Sequence, residues 1–254
     1  MTTQRRNAEM VDLLGTDFQG RAEPNLAIAS AISTWQSIPG IRGLWSASVV
    51  NESGSLMDCA FQNRTLTMGV GAAFAYSGLV PYVVYNGVNQ YHYRADEAGL
   101  DITGNLSIGC WFYPLAVGAA QVLMAKANVN QIAYQLYLSA ANNPTFLISA
   151  NGVTFTQVVS TATVAANRWY FAMGRFTAGV DLTIVVYDGG YTTTVNAVAP
   201  PAAIFNSNAN FEIARNMTGG YFNGRYWIGG MTPVPLIGAH IFNLCEQTRA
   251  AVGI

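Results

Sequence analysis

An all-β antiparallel fold, sandwich or barrel, is what three observations on this 254-residue chain predict. Short runs alternate apolar and polar residues from about residue 44 onward, Gly and Asn turns punctuate them, and almost no helical periodicity lies between them. Such alternation puts one face of each strand on a core and leaves the other exposed. No fixed-period repeat is visible, which argues against a propeller or β-helix.

Residues 1–45 differ from the rest and read as a helical arm or cap, with the β domain spanning 46–254. RRNAEMVDLL, 5–14, suits a short helix with Leu13 and Leu14 on one side. PNLAIASAISTWQSI, 24–38, carries Leu26, Ile28, Ile32 and Trp35 at helical spacing, with Pro24 in its first turn. PGIRG, 39–43, breaks it. Short helices need a surface to dock on, and these six apolar residues are the candidate interface, either to a neighbouring protein or to a sheet of the same chain. RTLTMG, PYVVYNG and QYHYRA then read as strands, and a long strand is expected over 105–113. QVLMAKA, QIAYQLYLSA, PTFLISANG and VTFTQVVST continue the series at short spacing.

RWYFAMGRF and DLTIVVYDGG form the simplest hairpin, closed by FTAGVD. Trp169, Phe171 and Met173 share the expected core face of one strand, and Leu182, Ile184 and Val186 that of the next. Asp188-Gly189-Gly190 is a further turn, where Asp accepts backbone N–H bonds and glycine permits positive φ. YTTTVNAVA, ANFEIARN, NGRYWIGG and IGAHIFNL complete the strand-like runs, and CEQTRAAV suits one or two terminal helical turns.

Composition narrows the function. Charged residues make up 10% of the chain, far below the roughly 25% of an average soluble domain. A surface so short of charge is poorly protected against association, which suggests burial in an assembly. Net charge is −1 with no basic block, which disfavours nucleic acid as the main partner. Cys59, Cys110 and Cys245 have no zinc spacing and are expected as buried free thiols. The opening MTTQRRNAEM has no apolar segment behind it, so no signal peptide is expected, and no apolar run is long enough to span a membrane.

The order "W-aromatic-x-A", turn, alternating strand, "Y-D-G" over 169–190 resembles laminin G-like members of the concanavalin A-like jelly rolls. Tyr85-Asn86-Gly87 before QYHYR is similar to that group's aromatic-Asp-Gly segment, with Asn86 in place of Asp. LDITGNLSIGCWFYP resembles its strand with a central Trp, here Trp111. Phe222-Asn223-Gly224-Arg225 and IFNLCEQTRA resemble its late and final segments. The resemblance covers about 78–254 and implies an antiparallel jelly-roll sandwich, with the helical extension added at the N-terminus. That scaffold hosts lectins, hydrolases and structural modules alike.

The resemblance also implies a calcium site at one rim. Calcium takes six to eight oxygens, and Asp96, Asp101 and Asp188 are the candidate ligands, although the default expectation is no cofactor. Related glucanases carry acid pairs on one strand, and no strand here has two acids at i and i+2, which argues against glycoside hydrolysis. Tyr91, Tyr187, Tyr191, Tyr221 and Tyr226 are candidates for stacking on sugars. The expected role is therefore non-enzymatic: a virion structural accessory, as capsid decoration or at the tail or fibre, resembling phage structural proteins. It would assemble in the host cytoplasm through contacts with itself and other structural proteins. The alternative is a carbohydrate-binding adhesion module for a surface glycan.

Overall fold

The computed structural model describes residues 22–77, 80–196 and 198–254. Two antiparallel sheets face each other. The first has the order β14-β13-β12-β7-β16-β1-β2, and the second β11-β10-β9-β8-β15-β6-β3. The strands of the first sheet are β1 (Gly43–Val50), β2 (Leu56–Asp58), β7 (Leu106–Pro114), β12 (Tyr170–Thr177), β13 (Asp181–Tyr187), β14 (Tyr191–Val195) and β16 (Asn223–Thr232). β4 (Ala73–Ser77) and β5 (Val80–Asn86) join it at β16, whose first half pairs with β5 and second half with β1. The second sheet holds β3 (Thr67–Val70), β6 (Tyr91–Arg94), β8 (Gln121–Lys126), β9 (Ile132–Leu138), β10 (Pro144–Gly152), β11 (Phe155–Val159) and β15 (Phe211–Ile213). Helices α1 (Ala22–Gln36) and α2 (Gly238–Val252) complete the described chain, with a single 3₁₀ turn at Ala98–Leu100.

The core has two layers. Between the sheets lie Trp45, Tyr85, Phe112, Tyr134, Phe146, Tyr170 and Tyr226 among others. On the other face of the nine-stranded sheet, Trp111, Phe171 and Trp227 pack with Ile28, Ile32 and Trp35 of α1 and Ile241 and Leu244 of α2. The central strands of this sheet, β7, β12, β13 and β16, are therefore buried on both faces and are largely apolar. In β12, Tyr170 and Ala172 face the second sheet, whereas Phe171 and Met173 face the helices with Trp169. The alternation is as expected, but the face expected to meet the main core meets the helical layer. Leu182, Ile184 and Val186 of β13 do point between the sheets.

Two sequence expectations change here. The candidate interface residues Ile28, Ile32 and Trp35 are buried inside the chain's own helical layer, so they cannot meet a neighbour. Of the candidates within the described residues, only Leu26 is exposed, at 72%; Leu13 and Leu14 lie outside them. IGAHIFNL is not a strand but the first half of α2, which buries Ile241, Leu244, Cys245 and Thr248. Those positions fall at steps of three and four, one face of a helix. The Trp111 indole N–H donates to Thr248 Oγ1 at 2.7 Å, tying this helix to the sheet.

His92 shows what the inter-sheet core does to a titratable group. It is fully buried; its Nε2 donates to the Gly54 carbonyl (2.9 Å), and Nδ1 accepts from the Tyr85 hydroxyl (2.8 Å). Burial lowers its pKa from 6.5 to about 4. Below pH 6.5 the unfolded chain therefore binds a proton that the fold refuses, and stability is lost as pH falls toward 4. The expected loss over that window is at most about 3 kcal/mol. Urea unfolding at stepped pH should show this slope, and His92→Gln should flatten it. An equal slope in the variant would assign the acid sensitivity elsewhere.

Candidate functional site

The densest acidic run, RADEAGLD at 94–101, is paired internally. Lys126, the only lysine of the chain, ends β8 with its side chain 1% exposed. Its ammonium donates to Asp96 and to the Ala209 carbonyl (2.9 Å) and forms an ion pair with Asp101 at 3.1 Å. With its amide turned to donate, Asn206 reaches both Asp101 oxygens at 3.1 Å. Glu97 accepts from Arg64 Nε (2.6 Å) and from Arg94 Nε and Nη2 (2.9 and 2.7 Å). The place where the sequence suggested a divalent cation is thus taken by the chain's own ammonium. Asp188 does not join this cluster. It is exposed in the β13–β14 turn, where its N–H donates to the Gly190 carbonyl at 3.3 Å. Among the described residues no three His, Cys, Asp or Glu side chains converge as a metal would require. Asn86 caps its own turn, accepting from the Val88 and Asn89 N–H groups at 2.9 and 3.1 Å.

The five candidate tyrosines separate. Tyr226 is buried between the sheets and its hydroxyl donates to the Trp45 carbonyl at 2.8 Å. Tyr187 is buried under the helices, against Trp111. Tyr191 is partly exposed but held to α2, with its hydroxyl 3.2 Å from Glu246 Oε1 and its ring against Phe242. Neither Tyr187 nor Tyr226 can therefore meet a sugar. Tyr91 and Tyr221 do come together, on the outer face of the seven-stranded sheet, with ring centroids 6.5 Å apart. The Arg215 guanidinium lies 3.3 Å from the Tyr91 ring centroid and makes a bidentate pair with Glu212 at 2.6 and 2.9 Å. Ala214, with φ of 71°, turns the chain between them. Burial pushes the Glu212 carboxyl above the usual range, and Arg215 pulls it part of the way back. Glu212 is thus covered and paired.

This outer face is the one left open by the fold, since α1 and α2 cover the opposite sheet. Strand register sets Thr67, Tyr93, Glu212, Ala125, Gln135, Leu147 and Gln157 in one row across it. At the far end of the row lies a groove of about 330 Å³. Its floor is Ile132, Tyr137 and Leu147. Exposed Val129, Val153 and Phe155 form the rim, and Asn128, Asn130, Gln135, Asn216 and Thr218 supply the polar groups. No charged side chain lines it. Asn216 Nδ2 donates to Gln135 Oε1 at 2.8 Å, and the Tyr137 hydroxyl donates to Gln157 Oε1 at 3.0 Å, which fixes the floor. Arg215 and Asn216 are consecutive, so the aromatic patch at Tyr91 and the groove share one loop. None of the groove residues stands out in the sequence; the alternating Gln135 and Tyr137 in β9 are the one local signal.

Residues 86–229, more than half of the chain, match the family model Laminin_G_3, described as the concanavalin A-like lectin/glucanases superfamily. The chain belongs to that superfamily. Comparison with curated proteins finds no match. Among solved structures, the binding domain of paraclostridial mosquitocidal protein 1 is similar, with TM-score 0.63 and 12% identity, over 84% of this chain and 52% of that one. Domain 4 of AbnA, an extracellular arabinanase of Geobacillus stearothermophilus solved with arabinotriose, gives 0.63 and 16%, over 81% and 98%. The ligand-binding domain of botulinum neurotoxin serotype D, solved with N-acetylneuraminic acid, gives 0.61 and 12%, over 85% and 52%. The chain spans about half the length of the toxin chains that it matches. At these identities the likeness shows a shared fold, which here recurs in binding domains. Among the described residues no helix is long and apolar enough to cross a membrane.

Proposed function

We propose that this protein is a non-catalytic carbohydrate-binding module that holds an uncharged glycan in the groove on the open face of its seven-stranded sheet. The observation that carries this reading is the lining: a tyrosine, a phenylalanine and a ring of amides over an apolar floor, with no charged group. Apolar sugar faces stack on such rings, and amides orient hydroxyls. A volume of 330 Å³ is at the small end of ligand pockets, suited to one or two sugar rings. The arabinanase domain solved with arabinotriose supports a neutral ligand on this fold. The non-catalytic reading is supported by Glu212, which is held by Arg215, and by the lack of a carboxylate in the groove lining. Glycoside hydrolysis needs two placed carboxylates.

Calorimetry against a panel of neutral and acidic oligosaccharides tests the proposal. A neutral glycan should bind, and Tyr137→Ala or Gln135→Ala should weaken it at least about tenfold, equivalent to about 1.4 kcal/mol. A chelator should change nothing. Binding restricted to acidic sugars, or variants with unchanged affinity, would refute the site.

A second reading, compatible with the first, is a virion accessory at the capsid, tail or fibre. It is favoured by the 10% charge content. A regular cage, ring or trimer in light scattering would support it, and a monomer that binds glycan would count against it.

A further inference from the structure

We propose that β14, the outer edge of the nine-stranded sheet, pairs antiparallel with β14 of a second copy of this chain. Among the described residues β14 pairs only with β13. Asn196 N–H donates to the Leu182 carbonyl and Asp188 N–H to the Gly190 carbonyl, which fixes the parity of the ladder. Residues 184 and 186 therefore exchange bonds with 194 and 192, and the N–H and C=O groups of Tyr191, Thr193 and Val195 point outward. The same three residues are the exposed ones of the strand.

Natural edges are usually guarded by lysine, proline or a bulge, and residues 189–211 carry no Asp, Glu, Lys or Arg. A copy docked there brings no like charges together. The strand reads Tyr-Thr-Thr-Thr-Val, nearly symmetric about Thr193. A two-fold axis at Thr193 sets Thr193 opposite its copy and Tyr191 opposite Val195. These are the Thr–Thr and aromatic–β-branched pairs that stabilise neighbouring strands. Exposed Phe242 of α2, its ring centroid 5.1 Å from that of Tyr191, would flank the incoming Val195. β11, the edge of the other sheet, carries Phe155 at the groove rim, so pairing there would crowd the groove. A five-residue edge is small against the roughly 800 Å² per partner of a standard interface, so the dimer is expected to be concentration-dependent.

Sedimentation velocity across the micromolar range should show the wild-type chain passing from monomer to dimer. Thr193→Lys, which sets two ammonium groups face to face at the axis, should weaken the dimer at least tenfold with the thermal midpoint unchanged. Thr193→Cys should cross-link to a covalent dimer under mild oxidation, because Cys59, Cys110 and Cys245 are buried. A wild-type chain that stays monomeric overturns the proposal. So does a dimer that Thr193→Lys leaves intact, or that Thr193→Cys fails to cross-link. The proposal does not rest on glycan binding.

Discussion

Lys126→Met is expected to cost about 3–5 kcal/mol of folding stability, the usual loss when one member of a buried ion pair is removed. For a domain of this size that lowers the thermal midpoint by about 10 °C. Methionine keeps most of the volume of the lysine stem, so packing is nearly conserved. What is lost is the ammonium that neutralises Asp96 and Asp101 and donates to the Ala209 carbonyl. Asp101 is only 18% exposed and cannot simply turn to water. The triple variant Lys126→Met, Asp96→Asn, Asp101→Asn should recover most of the loss, because neutral amides need no counter-ion. If the triple variant is as unstable as the single one, the loss is one of packing and the electrostatic account fails. A chelator should leave the wild-type midpoint unchanged, since the cation here is part of the chain. A drop of several degrees on adding chelator would show a metal elsewhere in the molecule.

The single lysine in an apolar strand was the sequence signal for this arrangement, and its partners were not legible. Asp96 and Asp101 looked like calcium ligands because a one-dimensional reading sees clustered acids and not the strand that delivers a cation among them. Period-two alternation did place β7, β12, β13 and β14, and the hairpin at 177–181, because half-buried and fully buried strands share the same short spacing. It could not say which face met which layer, since the central strands of the nine-stranded sheet are buried on both faces. It also read IGAHIFNL as a strand, since a short apolar run fits either period. The groove was less legible still. Gln135, Tyr137, Phe155 and Asn216 come from two strands and a loop, and only the sheet order brings them together. Tyr91 and Tyr221, named on composition alone, fell beside it, while Tyr187 and Tyr226 were drawn into the core.

The helix at 22–36 is where the sequence allowed two opposite outcomes, and truncation separates them. A detachable arm would leave a folded β domain when residues 1–40 are removed. The structure predicts collapse instead. Without α1, the face formed by Trp111, Phe171 and Trp227 keeps α2 but loses the cover of Ile28, Ile32 and Trp35. Large aromatic side chains bury about 150–250 Å² each, so the exposed patch would exceed the few hundred Å² that soluble monomers tolerate. The truncated chain should be insoluble, or should bind a hydrophobic dye and lose its near-ultraviolet dichroism. A soluble domain with the original midpoint would return α1 to the status of an arm. Point variants give the same answer without deletion. Trp35 is 1% exposed, lies against Phe171 at 6.2 Å, and covers Gly230, where an added Cβ would sit 3.1 Å from its ring. Trp35→Ala should therefore cost about 3–5 kcal/mol. Trp35→Phe should cost much less than its lost volume suggests, because the Trp35 Nε1 is buried without a hydrogen-bond partner and its removal relieves an unpaid desolvation. The gap between the two variants, read from urea unfolding, measures packing against the sheet. Equal, small losses in both would mean that the helix is not held by Trp35.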